Sequence, residues 1–354
     1  MNSFAPHEAG SESVERKEPV SRCWALLLAG GLGARLNADR PKAFVPLAGR
    51  PMLYWSMVAF ARHPEIHDLL VVVPRGWEKS FRDEILGPLM EESRECAAKV
   101  RGIVPGGDRR QDSARLGLKR ICEIWEGDVE LRRERMHAAR PFPSAGAPEA
   151  AAVSEPSREG AQREGPEQPL VLVHDAARPL VPAELISSLI AAMHARADEA
   201  NQPPVPAGGA AAEGAAPKKS RRKAPAAPGG PRPTAVIPVL PPGETLKALD
   251  RAGRVIETVA RDSLWRAQTP QAFVLPTVCE LHEQAMEVGF AVTDDAMLYE
   301  WRGHLVRTVP GSPLNLKVTF PQDLALLEAW LSREGRPGGG LPGCEQGETR
   351  GGDA

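Results

Sequence analysis

Four continuous apolar runs constrain the fold of this chain more than any other feature of its sequence. They are WALLLA from Trp24, LLVVVP from Leu69, LVLVH from Leu170 and TAVIPV from Thr234. Continuous apolar residues, rather than alternating ones, are typical of strands that are covered on both faces. Stretches of helical period lie between and after these runs, at 52–62, 77–98, 110–125 and 182–195. The alternation predicts an α/β fold with three layers and a mainly parallel sheet.

Low-complexity composition divides the chain around this pattern. Much of its 35 Pro and 33 Gly lies in four stretches, at 1–22, about 126–168, about 196–232 and 335–354. Such composition predicts disordered tails and insertions. The rest, within 23–334, predicts a single domain with two insertions. The basic cluster from Lys218 to Lys223 is interpreted as part of a solvated linker, with contact to nucleic acid as the alternative.

Charge, cysteines and hydropathy exclude several classes of protein. A formal net charge of −2 provides no overall field for nucleic acid or an anionic membrane. The five cysteines show no metal-ligand spacing, and no apolar run reaches the length of a membrane span. The N-terminal stretch lacks the apolar segment of a signal peptide. We therefore expect a cytoplasmic protein with reduced thiols that binds neither nucleic acid nor membrane.

The segment at about 244–267 departs from the β-α alternation. Two polar extended stretches flank a turn-like centre at 251–254. This pattern predicts a β-hairpin arm that projects from the sheet. Because a two-stranded arm is marginally stable alone, we expect it to pack on a second subunit in a homodimer.

A glycine-rich stretch with basic residues follows the first apolar run. In LLLAGGLGARLNADRPKAF, from Leu26 to Phe44, glycines at 30, 31 and 33 permit positive φ and let backbone N–H groups converge on an anion. Arg35 and Lys42 add positive charge. Pro41 favours an extended loop in which Lys42 points back at the glycines. A dinucleotide fingerprint needs glycine where Leu36 stands, and Gly-Lys-Ser/Thr is absent, so nucleotidyl transfer is the nearest precedent.

The stretch resembles the signature loop of nucleotide-sugar-type nucleotidyltransferases, and later motifs narrow the resemblance to the 2-C-methyl-D-erythritol 4-phosphate cytidylyltransferases. Those motifs are GGDRRQDS from Gly106, VHDAARP from Val173, ETLK from Glu244, LWRAQTPQAF from Leu264, TDDA from Thr293 and NLKVTFPQDL from Asn315. They recur in order outside the four low-complexity stretches. The resemblance implies a Rossmann-like nucleotidyltransferase fold and transfer of CMP from CTP to methylerythritol phosphate with release of pyrophosphate.

The resemblance also implies a role for each matching residue. Arg35, Lys42 and Lys317 would stabilise the transition state, and Arg261 on the arm would reach the neighbouring subunit's site. Backbone groups of Ala29, Gly30 and Gly31 would hold the nucleotide, and Gly107, Asp108 and Ser113 would hold cytosine. Asp175 would bind Mg²⁺, while Arg178, Thr245 and Thr269 would grip methylerythritol phosphate. The attacking phosphate is already ionised near neutral pH, so no general base is required.

Other interpretations remain open at this level. Individually, Asp108 or Asp175 could be helix caps, and Lys317 a solvated residue. In PVLPPGET, extra residues and Glu244 in place of aspartate depart from the family's pattern immediately before Thr245. A cytidylyltransferase acting on ribitol phosphate would share the loop cations and the metal ligand. A nucleotide- or RNA-binding protein with an idle site is the alternative from another class.

Overall fold

A computed structural model of the chain describes residues 22–31, 36, 39–138, 168–195 and 232–333, with side chains left out at 132–138. Its strands are β1 (Cys23–Leu28), β2 (Pro46–Leu47), β3 (Arg50–Pro51), β4 (Asp68–Val73), β5 (Val100–Pro105), β6 (Leu170–Asp175), β7 (Ala235–Leu240), β8 (Leu246–Leu249), β9 (Val255–Val259), β10 (Arg266–Ala267), β11 (Gln271–Val274) and β12 (Arg307–Pro310). Its helices are α1 (Met52–Arg62), α2 (Glu78–Phe81), α3 (Gly87–Glu92), α4 (Arg94–Ala98), α5 (Arg110–Ala138), α6 (Ala183–His194), α7 (Leu275–Glu287), α8 (Ala296–Trp301) and α9 (Pro321–Arg333).

Eight strands form the central sheet in the order β10-β7-β11-β6-β1-β4-β5, with β12 also paired to β7. Strands β6, β1, β4 and β5 are parallel to one another, and β11 is antiparallel to both β6 and β7. The prediction of a mainly parallel α/β sheet is confirmed. The antiparallel β11 was not predicted, because the QAF run is too short to show a periodicity.

Alternate residues of β1 face opposite layers, as the side-chain period of a strand requires. Trp24, Leu26 and Leu28 pack in one cluster with residues of α5 and α7, among them Leu118, Ile121, Val278 and Leu281. Ala25 and Leu27 pack in another with residues of α1 and α6, among them Met57, Phe60, Ile186 and Leu189. Both faces of the sheet are therefore covered, which explains the continuous apolar runs.

Two helical stretches differ from the sequence prediction. The helix expected at 77–98 is interrupted by a π-helical turn (Arg82–Leu86) and by the extended Ser93, whose hydroxyl caps α4 through the N–H of Cys96 at 3.2 Å. Helix α5 was expected to end at Trp125 but continues to Ala138. Residues 126–138 of the predicted first insertion are therefore helical.

Of the residues predicted to form the two terminal tails, the structure describes only Arg22. Arg22, assigned to the N-terminal tail, donates to the carboxylate of Asp68 and so belongs to the folded domain. The remaining tails, most of the insertions and the basic cluster from Lys218 to Lys223 lie outside the described residues.

The predicted hairpin is present as β8 and β9, which pair in a separate two-stranded sheet. Gly253, with φ of 79°, makes the turn where the sequence predicted one. Leu249, Val255 and Ile256 on this arm are 56%, 61% and 65% exposed. Within the described residues, no helix is both long enough and apolar enough to cross a bilayer.

Candidate active site

A cleft of about 360 Å³ opens at the carboxyl ends of the parallel strands, where α/β proteins bind their ligands. Backbone hydrogen bonds tie the ends of these strands together, from Ala29 N to Val72 O at 2.8 Å and from Ala176 N to Leu28 O at 3.0 Å. The residues that line the cleft are Leu28, Ala29, Gly31, Lys42, Ala43, Arg110, Asp175, Ala177, Lys317 and Thr319. Segments that are far apart in sequence thus meet at one edge of the sheet.

Asp175, the last residue of β6, lies between two cations in this cleft. Lys317 Nζ donates to its Oδ2 at 2.7 Å, and Arg110 Nε donates to its Oδ1 at 3.0 Å. Burial alone would raise the pKa of this carboxyl, but Arg110 and Lys317 outweigh burial and hold the pKa far below its ordinary value. Asp175 is therefore an anion at neutral pH and does not cap a helix, since α6 begins at Ala183.

Arg110 joins Asp175 to a second, fully buried carboxylate. Its Nη1 lies 2.9 Å from Oδ2 of Asp295, whose Oδ1 lies 3.1 Å from Nε2 of the buried His282. Burial lowers the pKa of the Arg110 guanidinium, but Asp295 and Asp175 more than compensate and raise it. The first residue of α5 is thus a partly buried cation between two carboxylates, which fixes the position of Asp175.

The segment that carries Lys317 is anchored on both sides of it. Val318 N donates to Ala177 O at 2.8 Å, and the buried Asn315 donates from Nδ2 to Thr269 O at 2.7 Å. Arg178 Nη1 in turn donates to Asn315 O at 2.7 Å. Arg178 is buried and does not line the cleft. In the structure Arg178 thus supports the Lys317 segment, and its contact with the second substrate stays a prediction.

Thr269 is likewise buried beneath the site rather than exposed in it. Its hydroxyl accepts a hydrogen bond from Asp175 N at 3.0 Å and lies 3.3 Å from Nδ1 of His174. His174 Nε2 lies 3.0 Å from Arg178 O, so that nitrogen carries the proton. Burial lowers the pKa of His174 to about 4, and the ring is therefore neutral at pH 7. In this position Thr269 and His174 orient the backbone of Asp175.

The glycine-rich loop is described only in part. Lys42 lines the cleft, but it begins a turn of 3-10 helix (Lys42–Phe44) instead of lying in an extended loop. Gly30 and Gly31 are not among the described glycines with positive φ. A Cβ atom at Gly30 would lie 3.1 Å from Ser113 Oγ. Arg35 and Gly33 lie outside the described residues.

Ser113 connects this loop with the start of α5. Its buried hydroxyl accepts from Gly107 N at 3.1 Å. A Cβ atom at Gly107 would meet Asp112 Cβ at 2.5 Å, so only glycine fits there. Asp108 is exposed, and Asp112, not Asp108, accepts from the Arg109 N–H at 3.2 Å near the helix start. Ala29, Gly30, Gly107 and Ser113 are thus neighbours, as expected for one binding region.

The arm residues are not brought into the cleft of their own subunit. Thr245 and Arg261 are both exposed at the base of the arm, where Arg261 Nη1 donates to Gly243 O at 3.1 Å. Neither of them lines the cleft.

The residues around Asp175 fit a magnesium ion that is bound together with phosphate. Mg²⁺ uses one or two carboxylates and completes its shell with phosphate oxygens and water. Asp175 is ionised, and the Lys317 side chain that holds one of its oxygens is 44% exposed and can turn away. In the described part of the chain, no cluster of three His, Cys, Asp or Glu side chains forms a metal site. Among the described residues that line the cleft, Asp175 is the one carboxylate that could hold such an ion.

Sequence reasoning missed four residues that support the site: the partly buried Arg110 and the buried Asp295, His282 and Asn315. Three of them stand inside the quoted motifs GGDRRQDS, TDDA and NLKVTFPQDL. The motifs identified the segments, but the pairing of Arg110 with both Asp175 and Asp295 depends on long-range packing.

Comparison with known proteins agrees with this geometry. The family model described as 2-C-methyl-D-erythritol 4-phosphate cytidylyltransferase matches residues 23–131 and 229–333. The enzyme of that name from Syntrophotalea carbinolica is 32% identical over 312 residues, covering 88% of this chain and 97% of the relative. The one from Syntrophus aciditrophicus is 29% identical over 310 residues, covering 88% and 96%.

A solved structure shares the fold. The 4-diphosphocytidyl-2C-methyl-D-erythritol synthase of Anaerococcus prevotii superposes with a TM-score of 0.55 at 22% identity, covering 88% of this chain and 97% of that one. Together with the match of the family model over most of the folded residues, these similarities establish that the chain belongs to the 2-C-methyl-D-erythritol 4-phosphate cytidylyltransferase family.

Proposed function

We propose that this chain transfers CMP from CTP to 2-C-methyl-D-erythritol 4-phosphate in a Mg²⁺-dependent reaction that takes place in the cleft at Asp175. The products are pyrophosphate and 4-diphosphocytidyl-2-C-methyl-D-erythritol, a step of isoprenoid precursor synthesis. The observation that carries the proposal is the meeting of Lys42, Lys317, Arg110 and Asp175 in one cleft beside Ala29 and Gly31. Cations fixed around a single carboxylate suit a reaction between two anionic phosphates.

The reaction requires that the negative charges of the two phosphates be screened, and it requires no side chain that accepts a proton. An oxygen of the acceptor phosphate forms a bond to the α-phosphorus of CTP, and the bond to the bridging oxygen breaks, so that pyrophosphate leaves with the electron pair. Charge that develops on the equatorial oxygens is stabilised by Lys42 and Lys317, with Arg35 and Arg261 as the further cations. Because the acceptor phosphate is already ionised, no side chain needs to remove a proton.

The remaining residues bind or orient the substrates. The backbone of Ala29, Gly30 and Gly31 holds the triphosphate, while Gly107, Asp108 and Ser113 enclose cytosine. Thr245 and Arg261 grip methylerythritol phosphate together with Arg178 and Thr269. The last two also hold the Lys317 segment and Asp175. Asp175 would hold the metal ion, which when bound neutralises part of the triphosphate charge.

The exposed arm supports a homodimer as the active form. The apolar side chains of Leu249, Val255 and Ile256 are exposed on a two-stranded ribbon, and such a ribbon is marginally stable by itself. Packing of the arm on a second subunit would cover these side chains and carry Arg261 to the partner's cleft.

The direct test measures pyrophosphate release from the purified full-length chain with CTP and Mg²⁺. We expect release with methylerythritol phosphate and none with ribitol 5-phosphate, and we expect excess chelator to abolish it. Release with ribitol phosphate alone would assign the chain to another acceptor.

A substitution tests the cleft itself. Lys42→Ala should lower kcat by about 10²–10³-fold, the usual cost of removing one preorganised donor of this type. Lys79→Ala is the matched control, because Lys79 is exposed and pairs only with Asp83 at 2.6 Å on the surface of α2. Turnover of Lys42→Ala within a few fold of the unsubstituted chain would refute the catalytic role.

A further inference from the structure

Two cysteines lie together outside the cleft, on neighbouring helices. Cys122 belongs to α5 and Cys279 to α7, and both are partly exposed, whereas Cys23 and Cys96 are buried. The pair lines a second cavity of about 280 Å³, together with Arg115, Leu118, Lys119, Glu280, His282 and Glu283. A small oxidant in solution can therefore reach both sulfur atoms, but not those of the buried cysteines.

The contacts of Cys279 place its sulfur beside Cys122. Cys279 Sγ lies 3.7 Å from the carbonyl oxygen of Leu118. In an α-helix, that carbonyl accepts the N–H of the residue four positions later, which here is Cys122. The thiol of α7 thus points at the turn of α5 that carries the other thiol.

The two thiols also influence each other's ionisation. Interaction with the Cys279 thiol lowers the pKa of Cys122, against the effect of burial and of Glu126 and Glu123. The same interaction and burial raise the pKa of Cys279. Cys122 is therefore the better nucleophile of the pair, and Cys279 is the neighbour that can react next.

We propose that Cys122 and Cys279 form a reversible dithiol–disulfide pair that hydrogen peroxide oxidises, covalently joining α5 to α7. The Cys122 thiolate attacks one peroxide oxygen, the O–O bond breaks, and Cys122 becomes a sulfenic acid as water is released. The Cys279 sulfur then displaces the sulfenic oxygen, which leaves as a second water. The two sulfur atoms together lose two electrons and two protons, and one peroxide molecule is reduced to two waters.

The cross-link would join α5 and α7, the two helices that contribute side chains to the cluster around the buried Asp295. Helix α5 begins at Arg110, and α7 carries His282 three residues after Cys279; both side chains contact Asp295. Structural disulfides are rare in reducing compartments. Disulfides that do form there are usually transient and act in catalysis or redox sensing. The inference concerns the thiols alone and holds or fails independently of the proposed enzymatic activity.

The test oxidises the reduced full-length chain with stoichiometric hydrogen peroxide under native conditions. We expect the thiol count, measured after denaturation, to fall by two of five, and peptide mapping without reductant to recover one linked pair, Cys122 with Cys279. Dithiothreitol should restore both thiols. A disulfide to Cys344, or oxidation of either cysteine without any cross-link, would overturn the proposal.

Substitutions make the assignment specific. Cys122→Ser and Cys279→Ser should each abolish the cross-linked peptide, and Cys96→Ser, at a buried thiol, should leave its yield unchanged. The peptide map of the unsubstituted chain decides the question even if a variant folds poorly. Loss of two thiols in Cys122→Ser at the rate of the unsubstituted chain would also contradict the pairing.

Discussion

Lys317 Nζ lies 2.7 Å from Oδ2 of Asp175, although the two residues are separated by 142 positions in the chain. The ion pair holds a cation and an ionised carboxylate at the mouth of the same cleft. The Asp175 side chain is 11% exposed and the Lys317 side chain 44% exposed, so the amine is the partner that can move. Substrate phosphates can therefore take over the lysine while Arg110 keeps Asp175 in place.

Replacing Lys317 should impair the chemical step more than substrate binding. We expect Lys317→Gln to lower kcat about 10²–10³-fold, because the cation acts on charge that develops in the transition state. The KM for CTP should change by much less, and steady-state kinetics separate the two effects. Lys79→Gln, at an exposed helix position, is the control. A rise in KM with kcat intact would show that Lys317 serves only to bind substrate.

Removing the buried charge of Asp295 should destabilise the fold. Asp295→Asn leaves Arg110 with Asp175 as its remaining carboxylate and leaves His282 without an anionic partner. We expect a loss of about 3 kcal/mol in the free energy of unfolding. This value is at the low end of the range for breaking a buried ion pair, because Arg110 retains its ion pair with Asp175. Urea unfolding measures the loss. Asp83→Asn, in an exposed pair with Lys79, should change stability by less than about 1 kcal/mol.

The sequence was sufficient for features that depend on local pattern. The strand around Leu26, the helix at 52–62 and the turn at Gly253 follow from periodicity and backbone preference, and the structure has all three. The convergence of Lys42, Asp175 and Lys317 followed from the resemblance together with the rule that parallel strands present their carboxyl ends at one edge of the sheet.

The sequence was insufficient where the outcome depends on packing between distant segments. The hydroxyl of Thr269, whose role at the substrate stays a prediction, accepts from the backbone N–H of Asp175, 94 positions away. Arg178, whose role at a phosphate also stays a prediction, donates to Asn315 O. Neither hydrogen bond can be read from local pattern, because each depends on how distant segments pack.

The buried His174 should make stability depend on pH in a defined window. Its pKa is about 4 in the folded chain against an ordinary value of 6.5, so between these values the unfolded chain binds the additional proton. Stability is therefore lost as the pH falls from 6.5 towards 4, by about 2 kcal/mol at pH 5. Asp175 and Asp295 also have lowered pKa values in the folded chain, so their protonation makes the fold less stable as the pH falls. This loss begins only below the ordinary carboxyl pKa.

Urea unfolding at pH 7.5 and at pH 5 measures this effect. His174→Gln keeps an N–H donor for Arg178 O but cannot take up the proton, so its stability should differ less between the two pH values. His304→Gln, at an exposed ring, should retain the pH dependence of the unsubstituted chain. Equal pH dependence in all three chains would show that His174 is not responsible.

Two glycines of α5 should respond oppositely to alanine. A Cβ atom at Gly117 would lie 2.5 Å from Leu26 Cδ1 and 2.9 Å from Val72 Cγ2, both fully buried in the sheet. Gly117→Ala should therefore destabilise the fold by about 1–3 kcal/mol through overpacking. At the exposed Gly127 no atom lies within 4 Å of such a Cβ, and Gly127→Ala should stabilise by about 0.5–1 kcal/mol through helix propensity. Thermal unfolding compares them, and destabilisation by both would contradict the packing argument.

The exposed arm predicts that a complete site needs two subunits. Ile256 is 65% exposed, and Ile256→Asp should shift sedimentation from dimer to monomer and abolish turnover, because a monomer cannot deliver Arg261 to a partner. Lys247→Gln, an exposed arm substitution that removes no apolar surface, should leave the dimer intact.

Mixing two inactive variants tests whether Arg261 acts on the partner's site. In a mixed dimer of Arg261→Ala and Lys42→Ala subunits, the cleft of the first subunit keeps Lys42 and receives an intact Arg261 from the second. That cleft should be active, while the other lacks both cations. After random subunit exchange, half of the dimers would be mixed with one active site each, so we expect about one quarter of the activity of the unsubstituted chain. If Arg261 acted within its own subunit, neither cleft of the mixed dimer would be complete, and mixing would restore no activity.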